Sequence, residues 1–138
     1  MKLLDTSVIV DHLRGHTPAT KLLESWVQAD VPVVASELTR FELLTGVRHG
    51  EVTTLEQLFS ALDWVPVTEE IARRGGEFAR SYRRSHSCIG AVDYLLAGTA
   101  AALGAELVTL NVKHFPMFEG LTAPYQYGTP TQRTTPPS

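Results

Sequence analysis

Between Gly90 and Leu103 the chain reads Gly-Ala-Val-Asp-Tyr-Leu-Leu-Ala-Gly-Thr-Ala-Ala-Ala-Leu, a helix-forming run that is apolar on nearly every face and carries one ionisable group, Asp93. A helix of that kind is buried on nearly every face, so it is expected to be a central packing element. An ionised aspartate in it needs a cation, hydrogen-bond donors or the helix N-terminus to offset its desolvation. What sits opposite Asp93 is therefore the question that leads to function.

The rest of the chain bounds the answer. Its 138 residues make about one domain, and with 43% hydrophobic and 20% charged residues it is too apolar for disorder and too polar for a membrane protein. The longest apolar stretch, Ala91 to Leu110, includes Asp93 and Glu106, which argues against a transmembrane helix. No signal peptide is expected, because charge and a strand-like run begin at Lys2 and Asp5. A single cysteine, Cys88, cannot form an internal disulfide and fits a reducing cytoplasm. The net charge of −3 does not announce a nucleic-acid binder, although Arg73, Arg74, Arg80, Arg83 and Arg84 are clustered.

Hydrophobic periodicity and turn residues divide the chain into alternating strands and helices. Strands are expected at Met1 to Asp5, Val31 to Ala35, Asp63 to Val67 and Glu106 to Thr109, the third toward an edge because Pro66 cannot donate a ladder hydrogen bond. Helices are expected after Asp5, from Pro18, from Glu37 to about His49 with Ser36 as cap, from Glu51 to Leu62, from Thr68 and through Asp93. The pattern indicates an α/β fold with a mainly parallel central sheet, whose crossovers bring Asp5 and Asn111 to the same edge. Gly46 is expected to permit a close backbone approach. Phe41 and Leu44 are expected to face inward. His12 and His16 read as surface histidines. From Thr122 the character changes: a domain-sized body over 1–121 is followed by a Pro/Thr-rich tail over 122–138, whose Tyr125 and Tyr127 could dock on the body.

Three acids stand where a core-building sequence would not casually put them. Asp5 ends a strand, Glu42 lies in an amphipathic helix, and Asp93 lies in an apolar one. Each has a plain alternative: Asp5 as a helix N-cap, Glu42 as a solvated surface residue. If they converge, their mutual repulsion calls for a cation, and hard oxygen ligands without a Cys or His pair favour Mg²⁺ or Mn²⁺ over zinc. Asn111 can add a carbonyl ligand or orient water, while Thr6, Ser7 and Thr109 can hydrogen bond to the ligands. A metal so held suits phosphodiester cleavage. Arg73, Arg80 and Arg84, expected on one side of their helix, can track phosphates or form a solvated face.

The segments Met1 to Gly15, Ser36 to Gly46, Gly90 to Ala97 and Leu107 to Phe115 resemble, in order, the four motif regions of PIN-domain ribonucleases of the VapC toxin type. The resemblance implies a PIN-like three-layer sandwich, a metal-dependent endoribonuclease, a homodimer and a VapB-type antitoxin partner. It places Asp5, Glu42 and Asp93 at the acidic metal-binding positions. Asn111 departs from the aspartate often found at the fourth, which should weaken affinity for a second cation. A haloacid-dehalogenase-like phosphatase also begins with a strand and an aspartate, but it wants a second aspartate where this chain has Ser7, and a lysine that Lys113 poorly supplies. A PIN-like module that binds RNA or a partner without cutting is the non-enzymatic alternative.

Overall fold

A computed structural model describes residues 1–126. Four short strands, β1 (Lys2–Leu4), β2 (Val33–Ser36), β3 (Asp63–Val65) and β4 (Glu106–Val108), form one fully parallel sheet in the order β3-β2-β1-β4. Among the described residues six α-helices connect and cover them: α1 (Thr6–Leu13), α2 (Thr17–Gln28), α3 (Glu37–Gly46), α4 (Val52–Ala61), α5 (Glu69–Tyr82) and α6 (Ala91–Leu103). Short 3₁₀ turns lie at His49–Glu51 and Val112–His114.

Period-two alternation sorts the strand side chains into two cores. Leu4, Ala35 and Val108, which are in register, join Val8 and Ile9 of α1, Leu43 of α3, and Leu55 and Phe59 of α4. Leu3, Val34 and Leu107, one residue earlier on each strand, meet Leu96, Ala97 and Ala100 of α6 and the fully buried Phe115. The result is the three-layer sandwich, with β3 at an edge.

The apolar run of α6 is explained by its two neighbours. One side packs on the sheet, and the other meets α5 at a glycine seam. A Cβ at Gly98 would stand 2.6 Å from the Ile71 carbonyl oxygen and 2.7 Å from the Gly75 nitrogen, and one at Gly75 would stand 2.9 Å from the Tyr94 carbonyl oxygen. The close approach expected at Gly46 is thus made elsewhere: nothing lies within 4 Å of a Cβ placed on Gly46. Gly104 closes α6 with a φ of 63°, the left-handed conformation that favours glycine there.

Other expectations need correction. Helix α3 buries Thr39 and Leu43 rather than Phe41 and Leu44, which are 64% and 49% exposed. It stops at Gly46, short of His49. His12 and His16 are half-buried rather than on the surface: His12 hydrogen bonds Thr20 at 3.0 Å, and His16 is the N-cap residue of α2 and packs its ring on Tyr125. Tyr125 also donates to the buried Asp11 carboxylate at 2.7 Å, so the chain beyond Leu121 begins by crossing the α1–α2 corner. Most of the Pro/Thr-rich tail, including Tyr127, lies outside the described residues. No described helix is long and apolar enough to cross a membrane.

Candidate active site

Parallel strands all end on the same side of the sheet, and at that end the neighbouring strands β1 and β4 open into a cleft. Its lining residues are Asp5, Thr6, Ser7, Glu42, Asp93, Asn111 and His114, around a space of about 410 Å³. Four loci far apart in sequence therefore meet: the β1–α1 junction, the middle of α3, the first turn of α6 and the loop after β4.

Asp5 follows β1 directly, and its backbone N–H donates to the Val108 carbonyl at 2.9 Å, which ties it to β4. The residue is only 7% exposed. Its carboxylate accepts from the Thr6 N–H at 2.8 Å and the Thr109 hydroxyl at 2.6 Å, with Ser7 at 3.4 Å. It therefore caps α1 and faces the cleft at once; the N-cap and ligand readings are not alternatives. Burial pushes its pKa up from the ordinary 3.8, and the Asp93 charge pushes in the same direction, against the lowering effect of those hydrogen bonds.

Glu42 is half-buried, not solvated, and accepts from the Thr6 hydroxyl at 2.5 Å. Thr6 thus touches two of the acids, through its N–H and its hydroxyl. Thr109 is fully buried and relays in the same way, donating to Asp5 while accepting the Asn111 N–H at 3.0 Å. Ser7 accepts the Leu110 N–H at 3.2 Å, which holds the β4 loop against α1. Asn111 itself is exposed at the rim.

Asp93 is less buried than the composition of its helix suggests. Its side chain is 24% exposed, because it sits in the first turn of α6, where helix N–H groups are free. The Gly90 N–H donates to its Oδ2 at 3.2 Å, and His114 Nδ1 lies 3.1 Å from the same oxygen. His114 is the cleft residue that sequence reasoning missed. Its signal was its position, three residues after Asn111 and directly before an apolar residue, Phe115, that anchors the loop in the core.

Among the described residues no group of three His, Cys, Asp or Glu side chains is arranged to surround a metal ion. The acids share one cleft, with Glu42 turned toward Thr6 and Asp93 toward Gly90 and His114.

The arginines do not line this cleft. Arg73 pairs with Glu69 at 2.8 Å on an exposed helix face, and Arg74 pairs with Glu70 at 3.0 Å. Arg80 and Arg84 are exposed and make no ion pair among the described residues, but Arg84 lies beyond the end of α5, so the three do not form one helical stripe.

The sequence pattern of the PIN domain matches residues 2–116. The chain belongs to the PIN domain family. Among its PIN domain relatives, Ribonuclease VapC19 of Mycobacterium tuberculosis is 54% identical over 91% of this chain and all of its own length. Ribonuclease VapC10 of the same organism is 44% identical over 91% of this chain and 93% of its own. The fold is also that of a chain in a toxin–antitoxin complex from Klebsiella pneumoniae, with a TM-score of 0.77 at 24% identity, covering 92% of this chain and all of that one. The cleft residues Asp5, Glu42, Asp93, Asn111 and His114 all fall inside the PIN domain match.

Proposed function

We propose that this chain is the toxin of a type II toxin–antitoxin pair: a cytoplasmic, homodimeric endoribonuclease that uses Mg²⁺ or Mn²⁺ to hydrolyse RNA phosphodiester bonds and is held inactive by a VapB-type antitoxin. The observation that carries the reading is the gathering of Asp5, Glu42, Asp93 and Asn111 in one cleft at the strand ends. The names of the relatives, ribonucleases both, support RNA as substrate, and the fold's occurrence in a toxin–antitoxin complex supports the partner. Exposed Phe41 and Leu44 on α3 are apolar surface of the kind a subunit contact covers.

The donor set fits a hard cation. It is all oxygen apart from His114, and both influences that raise the Asp5 pKa, burial and the Asp93 charge, are ones a cation would counter. Asp5, Glu42 and Asp93 would hold the ion, and Asn111 would add its carbonyl oxygen or orient water. A bound Mg²⁺ or Mn²⁺ supplies Lewis acidity, polarising the phosphate and making water a better nucleophile at neutral pH. The chain's own part is positional. Thr6, Ser7 and Thr109 fix the Asp5 carboxylate, and Thr6 restrains Glu42. Arg80 and Arg84, exposed and outside the cleft lining, would meet flanking phosphates; Arg73, already paired with Glu69, would contribute less.

The test is RNA cleavage by wild-type and Asp93→Asn protein, each with and without EDTA. Cleavage by wild type alone, abolished by EDTA, is the expected result. Equal metal-dependent cleavage by Asp93→Asn protein overturns the assignment. RNA binding without cleavage by either would favour the non-catalytic module, and turnover of a small phosphate monoester with RNA left intact would favour the phosphatase.

A further inference from the structure

The open space beside Gly46 is part of a second hollow. It measures about 250 Å³ and shares Thr6 and Glu42 with the acidic cleft, so it continues that cleft between α1 and α3. Its walls are apolar: Val10 and Leu13 of α1, Leu43 near the end of α3, and Val47, all packed on the core under that face of the sheet. Gly46 lines it as well, and a Cβ there would meet nothing within 4 Å. Two charged residues complete the lining. Glu51 accepts Arg14 Nε at 3.0 Å with one carboxylate oxygen and the Arg48 N–H at 3.0 Å with the other. Arg14 is thus held by its Nε, while its two terminal nitrogens donate no hydrogen bond among the described residues.

We propose that this hollow seats one unpaired nucleobase of the RNA substrate, next to the scissile phosphate, with the terminal N–H groups of Arg14 donating to acceptors on the base edge. The inference rests on the ribonuclease reading of the cleft and adds a subsite beside it. Sequence-specific reading of RNA works on unstacked bases, which need an apolar seat for the face and polar groups for the edge. The hollow offers both, and glycine leaves room where a side chain would otherwise stand. A phosphate is the poorer occupant, because the carboxylates of Glu42 and Glu51 share the lining. Continuity favours the substrate over a side chain of a protein partner: Thr6 and Glu42 belong to both spaces, so a base neighbouring the reacting phosphate enters directly from the cleft.

The experiment uses full-length protein and a single-stranded RNA that wild type cleaves at one site, with each nucleotide near that site replaced in turn by an abasic ribose. Mn²⁺ affinity and melting temperature are measured alongside. Wild type should slow by at least about 5-fold at one abasic position, the lower end of what seating a base is worth. Gly46→Leu fills the hollow, and the helical backbone there, outside the left-handed region, accepts a side chain. That variant should cleave intact RNA about as slowly as wild type cleaves the abasic strand, and lose nothing further on it. Gly46→Ala should fall between, and both should bind Mn²⁺ as wild type does. Arg14→Ala should flatten the base preference at that position and at no other. The proposal is overturned if no single abasic position slows wild type, or if Arg14→Ala keeps the base preference. It is also overturned if Gly46→Leu stays as sensitive to the abasic position as wild type, which would leave the hollow to a protein partner. A loss in Gly46→Leu that follows a fall in melting temperature and Mn²⁺ affinity marks a structural role and overturns it too. Absence of Mn²⁺-dependent cleavage by wild type overturns the ribonuclease reading together with this one, whereas the other outcomes overturn this one alone.

Discussion

The β1–α1 junction and the first turn of α6 each deliver an aspartate to the same cleft, yet they hold it in opposite ways. Asp5 comes from a mainly polar turn, Asp-Thr-Ser, and ends up 7% exposed between two strand ends. Asp93 comes from the most apolar helix of the chain and keeps a quarter of its side chain in solvent. The desolvation that the apolar composition of α6 assigns to Asp93 falls on Asp5. Burial is set by where an element starts and what crosses it, and the apolar neighbours of a residue report on the rest of its helix. The two regions also differ in what fixes them. Asp5 is tied by hydrogen bonds from Thr6 and Thr109 and by its own N–H to the Val108 carbonyl, whereas α6 is positioned by the Gly75–Gly98 seam.

The largest effect should come from breaking the second kind of support alone. Gly98→Ala forces a Cβ against the backbone of α5, and overpacking of that sort costs about 3 kcal/mol when neither helix can yield. Urea unfolding should show that loss. Next are the two aspartates themselves. Asp5→Asn and Asp93→Asn should each lower RNA cleavage by at least about 100-fold, more than loss of an outer partner costs, but their stabilities should diverge. In metal-free protein at neutral pH, Asp5→Asn relieves a buried charge and should stabilise by about 1 kcal/mol, as substitutions at strained functional sites do. Asp93→Asn gives up a charge at a helix N-terminus and should destabilise by about 0.5 kcal/mol. Thermal melts of the two purified variants check the sign.

The same asymmetry predicts a pH dependence. Asp5 binds its proton more tightly in the folded than in the unfolded chain, so its contribution to stability is fully present below 3.8 and is lost as pH rises through its elevated folded value. Without metal, wild type should therefore lose stability relative to Asp5→Asn protein as pH is raised from 3.8, and the gap should close at acid pH. The smallest effect is at the periphery. Arg84→Ala should weaken RNA binding modestly and lower the salt slope by about 0.7, one single-strand phosphate contact, with no change in metal affinity.

Much of this arrangement was legible in the residues. Strand periodicity and right-handed crossovers suffice to bring Asp5 and Asn111 side by side, because β1 and β4 are neighbours and both residues follow strand ends. Ser36 as the cap of α3 and the edge position of β3 follow from local chemistry in the same way. What was not legible depended on which face of an element meets which neighbour. The apolar spacing of α3 fits Leu38, Phe41 and Leu44 as well as it fits Thr39 and Leu43, and only the sheet decides between them. Gly46 and Gly98 look alike in sequence, but only Gly98 is crossed by another helix. His114 escaped because its partner, Asp93, is 21 positions earlier and reaches it only after the β4 loop has folded back.

The central claim is that the cleft holds a divalent ion through acids supported in these two ways. The measurement that bears on it most directly is the melting temperature of metal-free wild type, Asp5→Asn and Asp93→Asn at pH 7 as Mn²⁺ is titrated. An ion that binds only the folded state stabilises it by an amount that grows with concentration, about 2.7 kcal/mol at 100 times the dissociation constant. Wild type should start below Asp5→Asn protein and climb past it, while both variants stay nearly flat. A wild-type curve that does not rise with Mn²⁺, or an Asp5→Asn curve that rises in parallel with it, would contradict the account.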